Sequence, residues 1–185
     1  MTKALVVYYS RTGHTRSVAM ELAARCEADV EEIRDAVTKR TGVFGYLRCG
    51  REALGKQIPP IEPATATPAN YDVVILGTPV WAGHIASPVR SYLQAHAAET
   101  RHIAMFCTQG GNGGTKVMAE IAELCGKHAL ATLVLNERDV TRARYAEPLD
   151  EFVAAIPKQL SPPLAVTRDA LWHTAATSGT AWRQQ

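Results

Sequence analysis

The feature that most constrains this chain is its repeated switch between short unbroken apolar runs and stretches with a helical period. Ala4 to Tyr9 (ALVVYY), Val73 to Leu76 (VVIL), Ile103 to Cys107 (IAMFC) and Ala129 to Leu135 (ALATLVL) lack the apolar–polar alternation of a strand with one wet face. Such runs predict strands buried on both faces, the habit of a parallel sheet. A weaker run, Ala28 to Ile33, contains Glu31 and Glu32 and predicts an edge strand. Between the runs, Val117, Ile121, Leu124 and Cys125 recur at i, i+4, i+7, i+8, and Leu149, Phe152, Val153 and Ile156 at i, i+3, i+4, i+7. Val18 and Leu22 mark a helix after the first strand, and a further helix is expected from about Val43 to Gln57, before Pro59-Pro60. Ser87-Pro88 reads as an N-cap followed by proline in the first turn. Strand and helix alternating in this way predict an α/β fold, a doubly wound five-stranded parallel sheet with helices on both faces.

Composition narrows the functional classes. Twenty basic against eighteen acidic residues leave a formal charge of +2, which supplies no field for nucleic acid or an anionic membrane surface. The four cysteines, Cys26, Cys49, Cys107 and Cys125, form no C-x-x-C pair and are expected to be reduced core residues. The six histidines show no helical H-x-x-x-H spacing, so no protein-bound metal is expected. No basic-then-apolar leader follows Met1 and no apolar stretch reaches a membrane span of about 18 residues. The expectation is a cytoplasmic protein without membrane insertion, with a domain over residues 1–160 and a tail over 161–185. Trp172 or Trp182 of that tail folding back over an apolar surface is the alternative to a loose end.

In an open α/β sheet, ligands bind beyond the carboxyl ends of the strands, where the direction of winding reverses. After the first strand comes Ser10-Arg11-Thr12-Gly13-His14-Thr15, and then a helix. Hydroxyls, a glycine and a helix N-terminus suit a phosphate, because unpaired amides and the positive helix end face it. An ordinary Ser/Thr-rich cap is the other reading of these residues. G-x-x-x-x-G-K-[ST] and G-x-G-x-x-G are both absent, Gly111-Asn112-Gly113 being followed by Lys116 where a third glycine is needed. Neither the first nor the third strand ends in aspartate, and Cys107 begins no C-x5-R loop.

Three segments together carry a resemblance. Val6 to Thr15, Gly77-Thr78-Pro79-Val80-Trp81-Ala82-Gly83, and Thr108-Gln109-Gly110-Gly111-Asn112-Gly113-Gly114 follow the first, third and fourth strands. In this order they resemble the flavodoxin-like family of FMN proteins, in the short-chain form, over roughly residues 3–157. The resemblance implies strand order 2-1-3-4-5 and one non-covalently bound FMN. It implies that Ser10, Arg11, Thr12, Gly13, His14 and Thr15 lie at the phosphate, with Arg11 turned to solvent. Pro79, Val80, Trp81, Ala82 and Gly83 would flank the isoalloxazine, Trp81 as its aromatic wall and Ala82-Gly83 as the hinge peptide beside flavin N5. Thr108, Gln109, Gly110 and Gly111 would meet the pyrimidine edge.

The flavin then does the chemistry, and no side chain is required as a nucleophile or general base. The leading expectation is an electron carrier serving a redox partner protein. The alternative is an FMN-dependent NAD(P)H oxidoreductase whose small-molecule electron acceptors are quinones, azo or nitro compounds. Two departures from the carrier pattern favour the alternative: the third loop has no aromatic, and the chain lacks the strong acidity that steers carriers to partners. His84 is expected to be solvated unless it meets substrate. Tyr8, Tyr9 and Cys107 are expected in the core, and Glu137, Arg138 and Asp139 are expected in solvent.

Overall fold

The computed structural model describes residues 2–36, 42–158 and 160; the tail expected over 161–185, Trp172 and Trp182 included, lies outside the described residues. Five parallel strands stand in the order β2-β1-β3-β5-β6: β1 (Ala4–Tyr8), β2 (Asp29–Glu32), β3 (Val73–Trp81), β5 (His102–Gln109) and β6 (Ala129–Asn136). A two-residue strand, β4 (His84–Ile85), folds back antiparallel on the end of β3. Among the parallel strands alone the order is the expected 2-1-3-4-5. Among the described residues six α-helices flank them: α1 (His14–Cys26), α2 (Gly42–Leu54), α3 (Ser87–His96), α4 (Gly114–Cys125), α5 (Glu137–Thr141) and α6 (Ala146–Ala155).

The period of two along each strand divides the core in two. Leu5, Val7 and Tyr9 face a layer built from α2, α3 and α4, with Cys49, Val89, Tyr92, Val117 and Ile121 beneath them. Ala4, Val6 and Tyr8 face the opposite layer, with Val18, Leu22, Leu149 and Phe152 from α1 and α6. Both faces of β1 are therefore dry, as its unbroken apolar run predicts. Each fully buried Leu, Ile or Phe contributes about 1.5–3 kcal/mol of transfer free energy. In the centre of the sheet, Gly77 pairs with Phe106 on β5, and a Cβ at 77 would lie 2.2 Å from the Phe106 ring. Only a residue without a side chain fits beneath that ring.

The structure differs from the sequence reading in four places. β3 runs on through Trp81, so Pro79 and Val80, expected in a loop, are strand residues paired to β5 or β4. Thr108 and Gln109 likewise belong to the end of β5. β6 is an edge strand with one neighbour, and Val134 is 37% exposed. Its apolar run therefore marks contact with the flanking helices on part of its length, not burial on both faces. Finally, Ala86 is the N-cap of α3 and Ser87 is its first helical residue; the cap has no side-chain hydrogen bond. The Ala86 amide is satisfied instead by the buried Thr78 hydroxyl at 3.2 Å.

β2 does lie at the sheet edge as expected, but Glu31 is buried at 7% exposure. Its carboxylate accepts from the Thr65 hydroxyl and from the Thr65 and Ala66 amides. The proline- and threonine-rich stretch after α2 thereby supplies the partners of this buried carboxylate. No helix among the described residues is long and apolar enough to cross a membrane.

Candidate functional site

The winding reverses between β1 and β3, because β2 lies on one side of β1 and every later parallel strand on the other. The segments leaving the carboxyl ends of β1, β3 and β5 meet beyond that point. They hold the residues that the resemblance places at a flavin, arranged as follows.

After β1, Ser10 to Gly13 form the loop, while His14 and Thr15 are already in the first turn of α1. Gly13 caps the helix, and its amide donates to the Ser10 hydroxyl at 3.1 Å. The helical ladder resumes at Ser17, whose amide donates to the Gly13 carbonyl at 2.9 Å. The amides between these two are those a helix start leaves without an internal partner. No acidic residue occupies the first turn, so the helix itself brings no carboxylate to its positive end. Thr12 is exposed, with its hydroxyl 3.1 Å from His14 Nδ1. Arg11, expected toward solvent rather than on the phosphate, is partly exposed.

Thr15 is buried at 1% exposure, and its hydroxyl shares a 2.8 Å hydrogen bond with the hydroxyl of Thr108 at the end of β5. One of the two donates to the other, so one hydroxyl proton remains for a further acceptor. This bond ties the first segment to the third across residues 93 apart in sequence.

The segment after β3 is a two-residue hairpin. Trp81 pairs with His84, and Ala82 and Gly83 turn the chain with φ of 50° and 76°. Positive φ at both positions is the type I′ geometry that matches strand twist; glycine adopts it freely and alanine at a cost. Trp81 is 7% exposed and meets the Tyr9 ring edge-on, centroids 5.4 Å apart. It stands in the α2–α4 core layer at the rim of the sheet. Tyr9 in turn donates its hydroxyl to Asp35 at 3.0 Å.

The third segment packs directly on this turn. Gly113, with φ 106°, lies so close that a Cβ would be 2.9 Å from Gly83 Cα. Gly110, Gly111 and Asn112 are exposed, and this stretch presents no aromatic ring. Gln109 is committed within the protein: its carbonyl accepts the Gly114 amide at 2.8 Å, and its NH2 donates to Asn136 at 3.3 Å. The side-chain amide thus caps α4 and fastens it to the end of β6.

Sequence reasoning missed two groups at this rim. The first is α5, whose Glu137 carboxylate lies 3.8 Å from His14 Nδ1, with the Thr141 hydroxyl 3.3 Å from His14 Nε2. A helix of five residues is too short for a periodicity signal, and its charges looked merely solvated. The second is a charge cluster behind Gly83. Glu120 of α4 pairs with Arg90 of α3, accepts the Ile85 amide at 3.2 Å, and lies 3.3 Å from His84 Nδ1. Burial alone would raise the Glu120 pKa, but Arg90, the Ile85 amide and His84 together hold the carboxyl below its ordinary range. His84 is thus mostly enclosed rather than solvated, its side chain 15% exposed. Cys107 is fully buried, and burial pushes its thiol up to about 12, which leaves it inert as a nucleophile.

Comparison with known proteins agrees with this architecture. Residues 3–152 match the sequence profile of the flavodoxin family. Two curated relatives are named NAD(P)H dehydrogenase (quinone), from Gluconacetobacter diazotrophicus and, as number 3, from Rhizobium meliloti. They are 33% and 32% identical over 100 and 98 residues, half of this chain in each case. The chain spans less than half the length of these relatives, 45% and 43%. Among solved structures, a flavoprotein in complex with FMN from Lactobacillus acidophilus superposes with a TM-score of 0.64 at 21% identity, covering 77% of this chain and 98% of that one. A putative flavoprotein from Bacteroides eggerthii gives the same TM-score at 22% identity, covering 83% and 99%. With a profile match over most of its length and the same fold, this chain belongs to the flavodoxin family.

Proposed function

We propose that the protein binds FMN at the three converging segments and passes electrons from NAD(P)H to small aromatic acceptors of the quinone, azo or nitro class. Bound FMN supplies the redox chemistry, accepting electrons from one partner and releasing them to the other. The chain's own residues fit that ligand. The Ser10–Thr15 segment offers hydroxyls and first-turn amides to a phosphate at a helix whose own first turn carries no acidic residue. The β3 hairpin offers the Ala82-Gly83 turn to a ring system, with Trp81 behind it in the core, and the glycines of 110–113 let the other side be approached.

The observation that carries the choice of a small-molecule acceptor is the exposed, ring-free stretch Gly110 to Asn112 opposite that hairpin. A flavin bordered by glycine on its outer side leaves room for a donor or acceptor to stack on it. The near-neutral charge of +2 and the names of the curated relatives support the same reading. A pure electron carrier is the second reading, favoured by the Ala82-Gly83 turn, whose peptide can change orientation at low cost because Gly83 tolerates either sign of φ.

The test is the visible spectrum of the FMN-loaded protein, recorded anaerobically before and after NADPH. Prompt bleaching supports the reductase. A bound flavin that stays oxidised until a separate reductase is supplied supports the carrier, and a protein that takes up no FMN overturns both.

A further inference from the structure

The parallel strands run in one direction and the helices return the chain, so α2, α3 and α4 end at the amino edge of the sheet, away from the three converging segments. At that edge, on the α2–α4 face, lies a groove of about 550 Å³. Leu93 and Ala97 line it at the end of α3, Leu124 and Cys125 at the end of α4, and Lys56 and Ile58 from the stretch after α2. Ile58 is 56% exposed and Leu124 42%. Exposed apolar side chains gathered around a concave surface mark an interaction site. The redox reading leaves this one without a role.

We propose that residues 161–185 fold back on this groove, with Trp172 filling it and Asp169 beside Lys56. α6 ends at the same edge of the sheet: the Thr2 hydroxyl, just ahead of β1, donates to the Pro157 carbonyl at 3.0 Å. Leu160 packs there against the α1–α6 layer. The twelve residues from Leu160 to Trp172 reach about 40 Å when extended. That exceeds the roughly 30 Å of three stacked layers of about 10 Å each, so the segment can round the sheet to the other face. Its chemistry matches the groove. Leu171 and Trp172 are adjacent, and Asp169, the single acidic residue of 161–185, precedes Trp172 by three positions. Lys56 supplies the cation, Arg90 being paired to Glu120. Size favours a tethered occupant over a separate chain. A groove for one or two side chains falls short of the roughly 1,200 Å² that independent partners bury in a stable interface. A segment of the same chain needs far less, because its effective concentration is on the order of millimolar.

The experiment labels the full chain with 5-fluorotryptophan and records 19F NMR without FMN, so its outcome is independent of the reductase reading. Trp81, Trp172 and Trp182 give three resonances, assigned with Trp172→Phe and Trp182→Phe. The Trp172 resonance is expected to show the small shift between H2O and D2O that marks shielding from water. Leu124→Glu is expected to restore the full shift of an exposed indole, whereas Met20→Glu, on α1 across the sheet, leaves it shielded. Both side chains are already exposed, so neither change disturbs the core. Asp169→Lys is expected to release Trp172 in part, and Lys56→Glu added to it to restore the shielding. A Trp172 exposed in the wild type, or shielded but indifferent to Leu124→Glu, overturns the docking. Shielding of Trp182 in its place overturns the choice of anchor, and an unchanged Asp169→Lys spectrum overturns the contact with Lys56. Shielding lost on dilution, with a dimer in sedimentation velocity, assigns the groove to a second copy and overturns the proposal as well.

Discussion

Gly113 and Gly83 touch backbone to backbone: a Cβ built on Gly113 would lie 2.9 Å from the Gly83 Cα, nearer than side-chain carbons approach. The turn after β3 and the loop after β5 are therefore one packed unit, although each looks in sequence like an independent glycine-rich connection. Val80 completes the contact at 3.4 Å from the same position.

Gly113→Ala is expected to separate these two segments. Its φ of 106° is costly for any L side chain, and the Cβ clash adds to it. A destabilisation of about 1–3 kcal/mol is expected, which lowers Tm by roughly 2–4 °C per kcal/mol for a chain of this size. FMN affinity is expected to fall with it. Gly111→Ala, where a Cβ meets nothing within 4 Å, is the control and is expected to change Tm little. Equal behaviour of the two variants would contradict the packed unit.

The Thr15–Thr108 bond gives a second, thermodynamic prediction. Either Thr→Val substitution leaves the other hydroxyl in a site about 1% exposed without its partner. Each single variant is expected to cost about 1–3 kcal/mol. The double variant is expected to be more stable than the sum of the two losses implies, because neither orphan remains. Denaturant unfolding of all four proteins closes the cycle; strict additivity would mean the bond contributes nothing.

Thr12 tests the phosphate. Its hydroxyl is exposed at the α1 end, so Thr12→Val is expected to leave the fold intact. Binding of FMN is expected to weaken by about 0.5–1.5 kcal/mol or more, the usual range for one hydrogen bond and higher for a charged partner, while riboflavin binding stays unchanged. Equal losses for both ligands in isothermal titration would remove Thr12 from the phosphate.

Glu120 gives a pH-dependent prediction. Its carboxyl is held below its unfolded-chain value of 4.5, despite burial, by Arg90, the Ile85 amide and His84. A depressed folded-state value means that the stabilisation is complete above about pH 4.5 and is lost as the pH falls through the lower, folded-state value. Glu120→Gln removes the charge and leaves Arg90 buried without its counter-ion, a loss of about 3 kcal/mol at neutral pH. The gap between the two proteins in urea midpoints is expected to be wide at pH 7 and to narrow by pH 3.5. A gap that does not change with pH would mean that the carboxylate form has no special stability in the fold.

The strand runs and most helices were legible in the sequence because periodicity is a property of neighbouring residues. Val18 and Leu22 of α1, and Leu149 and Phe152 of α6, face the core that their spacing predicts. The exceptions have local causes as well. α5 is a single turn and a half, too short for a pattern to accumulate. β6 carries apolar residues for a helix layer that covers only part of it, so an unbroken run overstated its burial. Trp81 lies beside proline and glycine in sequence, with no periodic apolar neighbours to show that it reaches the core. The strand continues through it, and its ring meets Tyr9, 72 positions earlier, in the α2–α4 layer.

By itself, then, the chain's sequence determined the alternation of elements, the dry central strands and the three segments placed at the carboxyl edge of the sheet. These follow from side-chain period, turn chemistry and the handedness of crossovers, all readable over a few residues. Tertiary structure alone decided which groups those segments share. The Thr15–Thr108 bond, the Gly83–Gly113 approach and the Arg90–Glu120–His84 cluster each join residues brought together by separate crossovers. Hydrogen bonds and close packing act over a few ångströms in space, so they leave no periodic trace along the chain, and only the folded sheet shows which polar residues meet.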